Sequence, residues 1–201
     1  LRVAAATPDI RVADCNFNGA SAAALVSEAY EQGVSLLVLP ELCLTGYTCS
    51  DLFLQESLLD GAGKALLTLT EATRDKNMVV LAGLPLTVNG VLYNVAAVLH
   101  DGDILGFVPK SYLPTYSEFY EGRHYHSGAD IEADVLFNGR TYPFGTRLLF
   151  RCRQMPAFTL GIEICEDLWV AQPPSISHAL AGATVIANLS ASDETTGKDI
   201  Y

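Results

Sequence analysis

The stretch LRVAAATPDIRVADCNFNGASAAALVSEAYEQGVSLLVL, residues 1–39, decides the fold class. Residues 1–7 and 34–39 are short apolar runs, which predict strands, and the Ala-rich segment 19–32 between them predicts a helix that ends at Gly33. Strand, helix and strand in this order form a βαβ unit. The strands are continuous apolar runs, which is typical of sheets covered on both faces, so helices must supply the cover.

The rest of the chain continues this mixture, which predicts a fold of the α/β (α+β) class. Asn89-Gly90 lies between two apolar runs and predicts a hairpin, so the sheet becomes partly antiparallel. Asp101-Gly102 predicts a second turn, and residues 118–128 have no clear period and predict a loop. The remaining predicted elements are helices over 63–76 and 175–181 and strands over 78–84, 104–108, 147–153, 157–164 and 184–187.

Composition narrows the classes of function. The 201 residues include 12 basic and 23 acidic side chains, a net charge of −11, and are 50% hydrophobic. So apolar a chain is expected to fold as one domain over residues 1–201. The acidic balance argues against a nucleic acid or an anionic membrane surface as partner, because both attract clustered Lys and Arg. Small molecules or proteins are the expected partners.

Cysteine and histidine usage predicts reduced thiols and no metal site. Five cysteines in 201 residues have neither the density nor the even count of a disulfide-stapled secreted domain. There is no CxxC motif, and the four histidines do not have zinc-site spacing. The sequence starts at Leu1 without the basic and apolar regions of a secretory leader, and no apolar run is long enough to span a membrane, so we expect a cytoplasmic location.

Reactive side chains follow four of the predicted strands. Glu41 follows VSLLVLP, Lys110 follows ILGFVP, Cys165 follows AFTLGIEI, and Asn188 and Ser190 follow TVIA. Ligands of open α/β sheets bind beyond the carboxyl ends of the strands. If these strands are neighbours, a carboxylate, an ammonium and a thiol are expected to meet in one pocket.

A carboxylate, an ammonium and a thiol in one pocket suit nucleophilic attack on an amide carbonyl. A thiol is a poor nucleophile until its proton is removed, and Glu41 is a candidate base. Attack of Cys165 on an amide carbonyl places negative charge on oxygen, which Lys110 and a backbone N–H near Cys165 or Glu166 are able to stabilise. Each residue also has a simpler interpretation: a buried apolar thiol, a capping carboxylate and a solvated strand-end charge.

Four motifs in order favour the catalytic interpretation. PELCLTGY (40–47), VPKSYLPTYSEFYEGR (108–123), GIEICEDLW (161–169) and NLSAS (188–192) resemble the nitrilase, or carbon-nitrogen hydrolase, superfamily. The resemblance implies a four-layer α-β-β-α sandwich and a catalytic triad of Glu41, Lys110 and Cys165. It also implies an assisting acid, for which Glu121 is the best match, and pairing of sandwiches into a homo-oligomer.

Within the superfamily, SYLPTYSEFYEGR and CEDLW look most like the amino-terminal glutaminase domain of glutamine-dependent NAD synthetases. That resemblance implies hydrolysis of glutamine and transfer of ammonia to a synthetase domain of the same chain, which amidates nicotinic acid adenine dinucleotide. The family commonly has Arg after NLSAS, where this chain has Lys198, and Lys cannot make the bidentate carboxylate contact of Arg. The positions that match the glutamine pocket are Tyr47, Tyr116, Phe119, Glu166, Ser192 and Lys198.

The sequence contains no SGGxDS-type pyrophosphate loop, no GxxxxGK[ST] motif and no GxGxxG motif. ATP and Mg are therefore expected only in a synthetase domain absent from these 201 residues, with no cofactor in this domain. The chain also looks shorter than a complete nitrilase domain, which predicts truncation at its carboxyl end. Two alternatives stay open: a stand-alone amidase or nitrilase acting on another small amide, and a catalytically silent domain that serves assembly.

Overall fold

The structure, a computed structural model, describes residues 1–193, 196 and 197. A seven-stranded mixed sheet is its larger layer, with the strand order β1-β2-β3-β4-β5-β7-β6. Strands β1 to β3 are mutually parallel, and β3, β4 and β5 continue in antiparallel pairs. The strands are β1 (Val3–Ala5), β2 (Leu36–Val38), β3 (Val79–Val88), β4 (Val91–His100), β5 (Asp103–Pro109), β6 (Glu132–Phe137) and β7 (Arg140–Gly145).

A three-stranded sheet of order β10-β9-β8 is the smaller layer. Its strands are β8 (Phe150–Arg151), β9 (Thr159–Ile164) and β10 (Val185–Leu189). Strands β9 and β10 are parallel, so their carboxyl ends lie at the same edge. The residues that follow these ends are Cys165 and Ser190, which places both at that edge.

Four α-helices complete the described part of the chain: α1 (Cys15–Glu31), α2 (Glu56–Ala72), α3 (Glu121–His124) and α4 (Pro174–Leu180). Two 3-10 helices cover Ser50–Leu54 and Cys165–Leu168. Helix α1 begins at an Asp14 cap whose side chain accepts a hydrogen bond from the N–H of Phe17 at 3.1 Å. None of the described helices is long and apolar enough to cross a membrane.

Two hydrophobic cores stack these elements into layers. One core joins α1 and α2, through residues such as Val26 and Leu66, to one face of the large sheet, where Leu37 and Val80 are buried. The second core lies between the two sheets and includes Leu81 from β3 and Ile162 from β9. Helix α4 packs on the outer face of the small sheet, where the His178 ring lies against Gly161. This stacking confirms the predicted α-β-β-α sandwich.

The βαβ unit and the first hairpin are also confirmed. Helix α1 connects β1 to β2, which pair in parallel. Asn89 and Gly90 both have positive φ, 52° and 78°, as a two-residue turn between antiparallel strands requires.

Other predicted elements were wrong. The strand over 147–153 is reduced to Phe150–Arg151, and the loop over 118–128 contains the short helix α3. The hairpin of β6 and β7 was missed, although Asn138-Gly139 at its turn carries the same signal as Asn89-Gly90. Its strands mix exposed and buried residues and lie at the sheet edge, so they lack the continuous apolar runs used to find the others.

Candidate active site

The ammonium of Lys110 is the centre of the site. Lys110 follows β5 and is fully buried. Two carboxylates face its side-chain nitrogen and stabilise the positively charged form. Its Nζ donates to Oε1 of Glu41 at 2.7 Å and to Oε1 of Glu121 at 2.6 Å. Glu41 comes shortly after β2, and Glu121 is the first residue of α3. The structure therefore brings together three residues that are far apart in the sequence.

The carboxylate of Glu41 is held by further donors. Asn94 Nδ2 donates to Oε1 at 2.7 Å, and the backbone N–H of Ala191 donates to Oε2 at 3.1 Å. Both bonds fix the orientation of the carboxylate. Sequence reasoning missed Asn94; its signal is an amide side chain in the apolar strand β4, where a buried polar group must have a partner.

Burial and charge act in opposite directions on these groups. Burial acts to lower the pKa of Lys110, but the negative charges of Glu41 and Glu121 outweigh it and the pKa is raised. Burial raises the pKa of Glu121; Lys110 opposes that rise and the charge of Glu41 adds to it. Lys110 thus remains an ammonium, and Glu121 takes up a proton more readily than an exposed glutamate.

Cys165 lies at a sharp turn between β9 and the 3-10 helix that follows. Its φ is +45°, which is uncommon for a residue with a side chain and marks a constrained backbone. The Asn188 side chain contacts this backbone twice: Oδ1 accepts from the Cys165 N–H at 3.2 Å, and Nδ2 donates to the Cys165 carbonyl at 3.3 Å. The Cys165 N–H is thereby engaged by Asn188 in this structure.

The thiol of Cys165 is within electrostatic range of the buried charges. Burial, and then the charge of Glu41, raises the pKa of Cys165 to about 11, while Lys110, the Ser190 hydroxyl and the Ala191 N–H act to lower it. Ala191 also donates to Glu41, so one peptide N–H lies beside both the carboxylate and the sulfur. At neutral pH the thiol is protonated and needs a base for ionisation.

Aromatic side chains surround the charged centre. Tyr47 donates from its hydroxyl to Oε1 of Glu121 at 2.7 Å. Its ring meets that of Phe119 edge to face, with centroids 6.2 Å apart, and Phe119 meets Tyr116 in the same manner at 5.8 Å. The Tyr116 hydroxyl donates to Oε2 of Glu166 at 2.8 Å. These four side chains form one connected group next to the centre.

Ser192 and Lys198 are the remaining residues predicted to bind substrate. Ser192 lies just beyond β10, in the segment that also carries Ala191. Lys198 lies outside the described residues. Within residues 1–193, 196 and 197, no group of three or more His, Cys, Asp or Glu side chains is arranged to hold a metal ion.

Known proteins resemble this chain along its whole length. The family profile of carbon-nitrogen hydrolases matches residues 2–200. A glutamine-dependent NAD(+) synthetase of Mycobacterium tuberculosis is 46% identical over 198 residues, which is 98% of this chain and 29% of that protein. The crystal structure of a glutamine-dependent NAD(+) synthetase from Cytophaga hutchinsonii superposes with a TM-score of 0.87 at 30% identity, over 100% of this chain and 32% of the other.

A crystal structure of an amidase from Nesterenkonia sp. has the same fold, with a TM-score of 0.70 at 21% identity over 98% of this chain and 66% of that one. The chain spans about a third of the length of the synthetases that it matches. The match of the family profile over nearly every residue, on a four-layer sandwich with a buried lysine between two glutamates, shows that this chain belongs to the carbon-nitrogen hydrolase family.

Proposed function

We propose that residues 1–201 form a glutaminase domain, which hydrolyses the side-chain amide of glutamine through a thioester on Cys165. The observation that carries the proposal is the fully buried Lys110 ammonium between the carboxylates of Glu41 and Glu121, at 2.7 and 2.6 Å, in electrostatic range of the thiol. An ammonium and two carboxylates beside a thiol suit amide hydrolysis, which needs a nucleophile, a base and an oxyanion partner.

In the first half-reaction, Glu41 takes the proton of the Cys165 thiol as the sulfur bonds to the amide carbon. The Lys110 ammonium stabilises the resulting oxyanion, and one such donor typically contributes about 3–4 kcal/mol. Glu41 then gives the proton to the amide nitrogen; the C–N bond breaks, ammonia leaves and a thioester remains. Glu121 assists as an acid and holds Lys110 in place.

In the second half-reaction, water replaces the thiol. Glu41 takes a proton from the water, whose oxygen bonds to the thioester carbon, and the C–S bond breaks. The proton returns to the sulfur, and glutamate leaves. The high pKa of Cys165, about 11, makes the sulfur readily reprotonated at neutral pH.

Amino-acid recognition rests on the polar groups next to the aromatic cluster. The ammonium of glutamine needs acceptors, and Glu166 with the hydroxyl of Tyr116, 2.8 Å from it, offers both charge and lone pairs. Tyr47 and Phe119 supply apolar walls, and Ser192 and Lys198 are proposed to bind the remaining polar groups, with Lys198 on the carboxylate.

Similarity to glutamine-dependent NAD(+) synthetases supports the destination of the ammonia. We propose that a synthetase domain of the same chain, which uses ATP and Mg, consumes it to amidate nicotinic acid adenine dinucleotide. This domain itself then needs no cofactor. A cytoplasmic location and a homo-oligomeric assembly belong to the same proposal.

The test is ammonia release from glutamine by the full-length protein and by Cys165→Ala. We expect release by the wild type, with a glutamyl thioester seen in the mass of the quenched protein, and neither in the variant. Cys152→Ala is the matched control, because it removes another thiol away from the charged centre. Release that persists in Cys165→Ala contradicts the mechanism.

A substrate panel separates the alternatives. Preference for acetamide or propionamide over glutamine favours a stand-alone amidase. The absence of a thioester with every amide favours a silent assembly domain.

A further inference from the structure

The side chain of Asp167 links two segments of the active site and has no assigned role. Its carboxylate is almost completely buried, with 1% of the residue exposed. Oδ1 accepts from the N–H groups of Ser111 and Tyr112, at 3.0 and 2.8 Å, and Oδ2 accepts from the N–H of Ile164 at 3.0 Å. Burial raises the pKa of Asp167 to about 7, and these three N–H groups act to lower it.

The N–H groups that donate to Asp167 come from residues next to Lys110 and Cys165, and the proposed reaction depends on the distance between these two. Ser111 directly follows Lys110, and Ile164 directly precedes Cys165. Lys110 directly follows β5 of the seven-stranded sheet, whereas Cys165 directly follows β9 of the three-stranded sheet. In the part of the chain that the structure describes, no strand ladder joins these two sheets, so backbone pairing alone does not fix the distance from ammonium to sulfur.

A helix-capping role accounts for only one of these contacts. The bond from the Ile164 N–H to Asp167 closes the first turn of the 3-10 helix that carries Cys165. The bonds from Ser111 and Tyr112 come from a segment more than 50 residues away, at sequence separations of 56 and 55, and do nothing for that turn. They attach the turn to the Lys110 segment.

We infer that Asp167 is a positioning residue, which holds the Cys165 turn at a fixed distance from the Lys110 segment and so aligns the sulfur with the ammonium. The inference rests on the proposed glutaminase function. Asp167 acts only through the two residues beside its donors, because its oxygens are occupied by backbone N–H groups and its side chain is buried.

The test compares Asp167→Asn with the wild type in the full-length protein. An amide nitrogen cannot accept from an N–H. One orientation of the asparagine therefore loses the bond to Ile164, and the other loses the bond to Tyr112 and leaves Ser111 only its longer contact, 3.4 Å, with the remaining oxygen. A misplacement of about 1 Å can reduce a rate by about 100-fold. We expect kcat for glutamine, normalised to the folded fraction, to fall by about 10- to 100-fold, and KM to change by less than about threefold since Asp167 does not touch substrate.

Glu163→Gln is the matched control. Glu163 lies on β9, just before the turn that carries Asp167, is equally buried, and accepts one backbone N–H, that of Ser175 at 3.0 Å. It faces α4 and not the Lys110 segment, so the same acid-to-amide change is expected to leave kcat per folded protein within about twofold of the wild type. An equal loss of kcat in both variants would mean that any buried carboxylate near Cys165 has this effect, and would overturn the inference.

Asp167→Glu keeps the inference testable if Asp167→Asn does not fold. It retains charge and acceptors but lengthens the link by about 1.5 Å, so kcat is expected to fall again with little change in KM. Wild-type kcat in either folded variant overturns the positioning role alone. A wild-type protein that releases no ammonia from glutamine overturns the proposed function, and this inference with it.

Discussion

Replacement of Gly83 by alanine is expected to displace the carboxylate of Glu41. A Cβ atom at Gly83 would lie 2.2 Å from the backbone nitrogen of Leu42 and 2.6 Å from Cα of Glu41. Ordinary contacts of a Cβ begin at 3.4 Å, so the nearest one falls short by about 1.2 Å, the difference between 3.4 and 2.2 Å. Both opposing atoms are backbone, and no side-chain rotation relieves the overlap.

The surroundings prevent an easy separation of the two segments. The Gly83 N–H donates to the Pro40 carbonyl at 3.2 Å, and the Gly83 carbonyl accepts from the Leu44 N–H at 3.2 Å. A shift of about 1.2 Å weakens both bonds, each worth about 1 kcal/mol, and adds overpacking strain of about 1–3 kcal/mol. We therefore expect a loss of about 2–5 kcal/mol in the free energy of unfolding.

The same shift moves Glu41 relative to Lys110 and the thiol. A displacement near 1 Å corresponds to a loss of about 100-fold in kcat for the proposed reaction. The assays are urea unfolding and ammonia release from glutamine, with kcat normalised to the folded fraction. Gly63→Ala is the control. Gly63 lies in the interior of α2, and a Cβ there would meet only the ring of Phe137, at the ordinary contact distance of 3.6 Å.

Gly63→Ala is expected to stabilise the protein by up to about 1 kcal/mol and to leave kcat unchanged, since alanine favours the helix. If Gly83→Ala instead keeps the stability and the kcat of the wild type, the contact between β3 and the Glu41 segment does not position the carboxylate. That result would refute the reasoning.

Three further predictions concern single contacts. Glu41→Gln removes a negative charge that raises the pKa of Cys165, so that pKa should fall below about 11. The fall is measured as faster alkylation of the thiol by iodoacetamide at a given pH, and glutamine hydrolysis should decrease. An unchanged or higher pKa contradicts the described electrostatics. Tyr116→Phe removes the hydroxyl 2.8 Å from Glu166 and should raise KM for glutamine by about 2- to 10-fold with a smaller change in kcat; an unaltered KM excludes that hydroxyl from substrate binding. Asp14→Ala removes the cap of α1 and should lower the free energy of unfolding by about 1 kcal/mol in urea, whereas Asp14→Ser, which keeps a capping oxygen, should not.

The convergence of Glu41, Lys110 and Glu121 follows from features that a sequence carries. Buried strands are continuous apolar runs, and reactive residues at their carboxyl ends share one edge of the sandwich, so Glu41 and Lys110 could be predicted to meet. Glu121 was expected only from the resemblance to a family, because nothing in residues 110–121 specifies how the intervening loop returns to the lysine.

Relations between the two sheets could not be predicted in this way. The bonds of Asp167 to the Lys110 segment depend on how the layers stack, and side-chain periodicity along one strand carries no information on that. The bond of Asn94 to Glu41 lies within the seven-stranded sheet and depends on how β4 lies relative to the segment after β2. The missed β6 and β7 hairpin has another cause: both strands mix exposed and buried residues and form no continuous apolar run, so the Asn138-Gly139 turn was the one usable signal.

The balance of charge around Lys110 assigns different roles to the two glutamates in the proposed reaction. If both were ionised, one ammonium would face two buried carboxylates, and a buried net negative charge is costly. Glu41 accepts from three donors, Lys110, Asn94 and the Ala191 N–H, which use both of its oxygens. Glu121 has a raised pKa, and among the described residues its Oε2 has no hydrogen-bond partner. We therefore propose Glu121 as the assisting acid, and Glu41, which shares the Ala191 N–H with the sulfur, as the base for the Cys165 thiol.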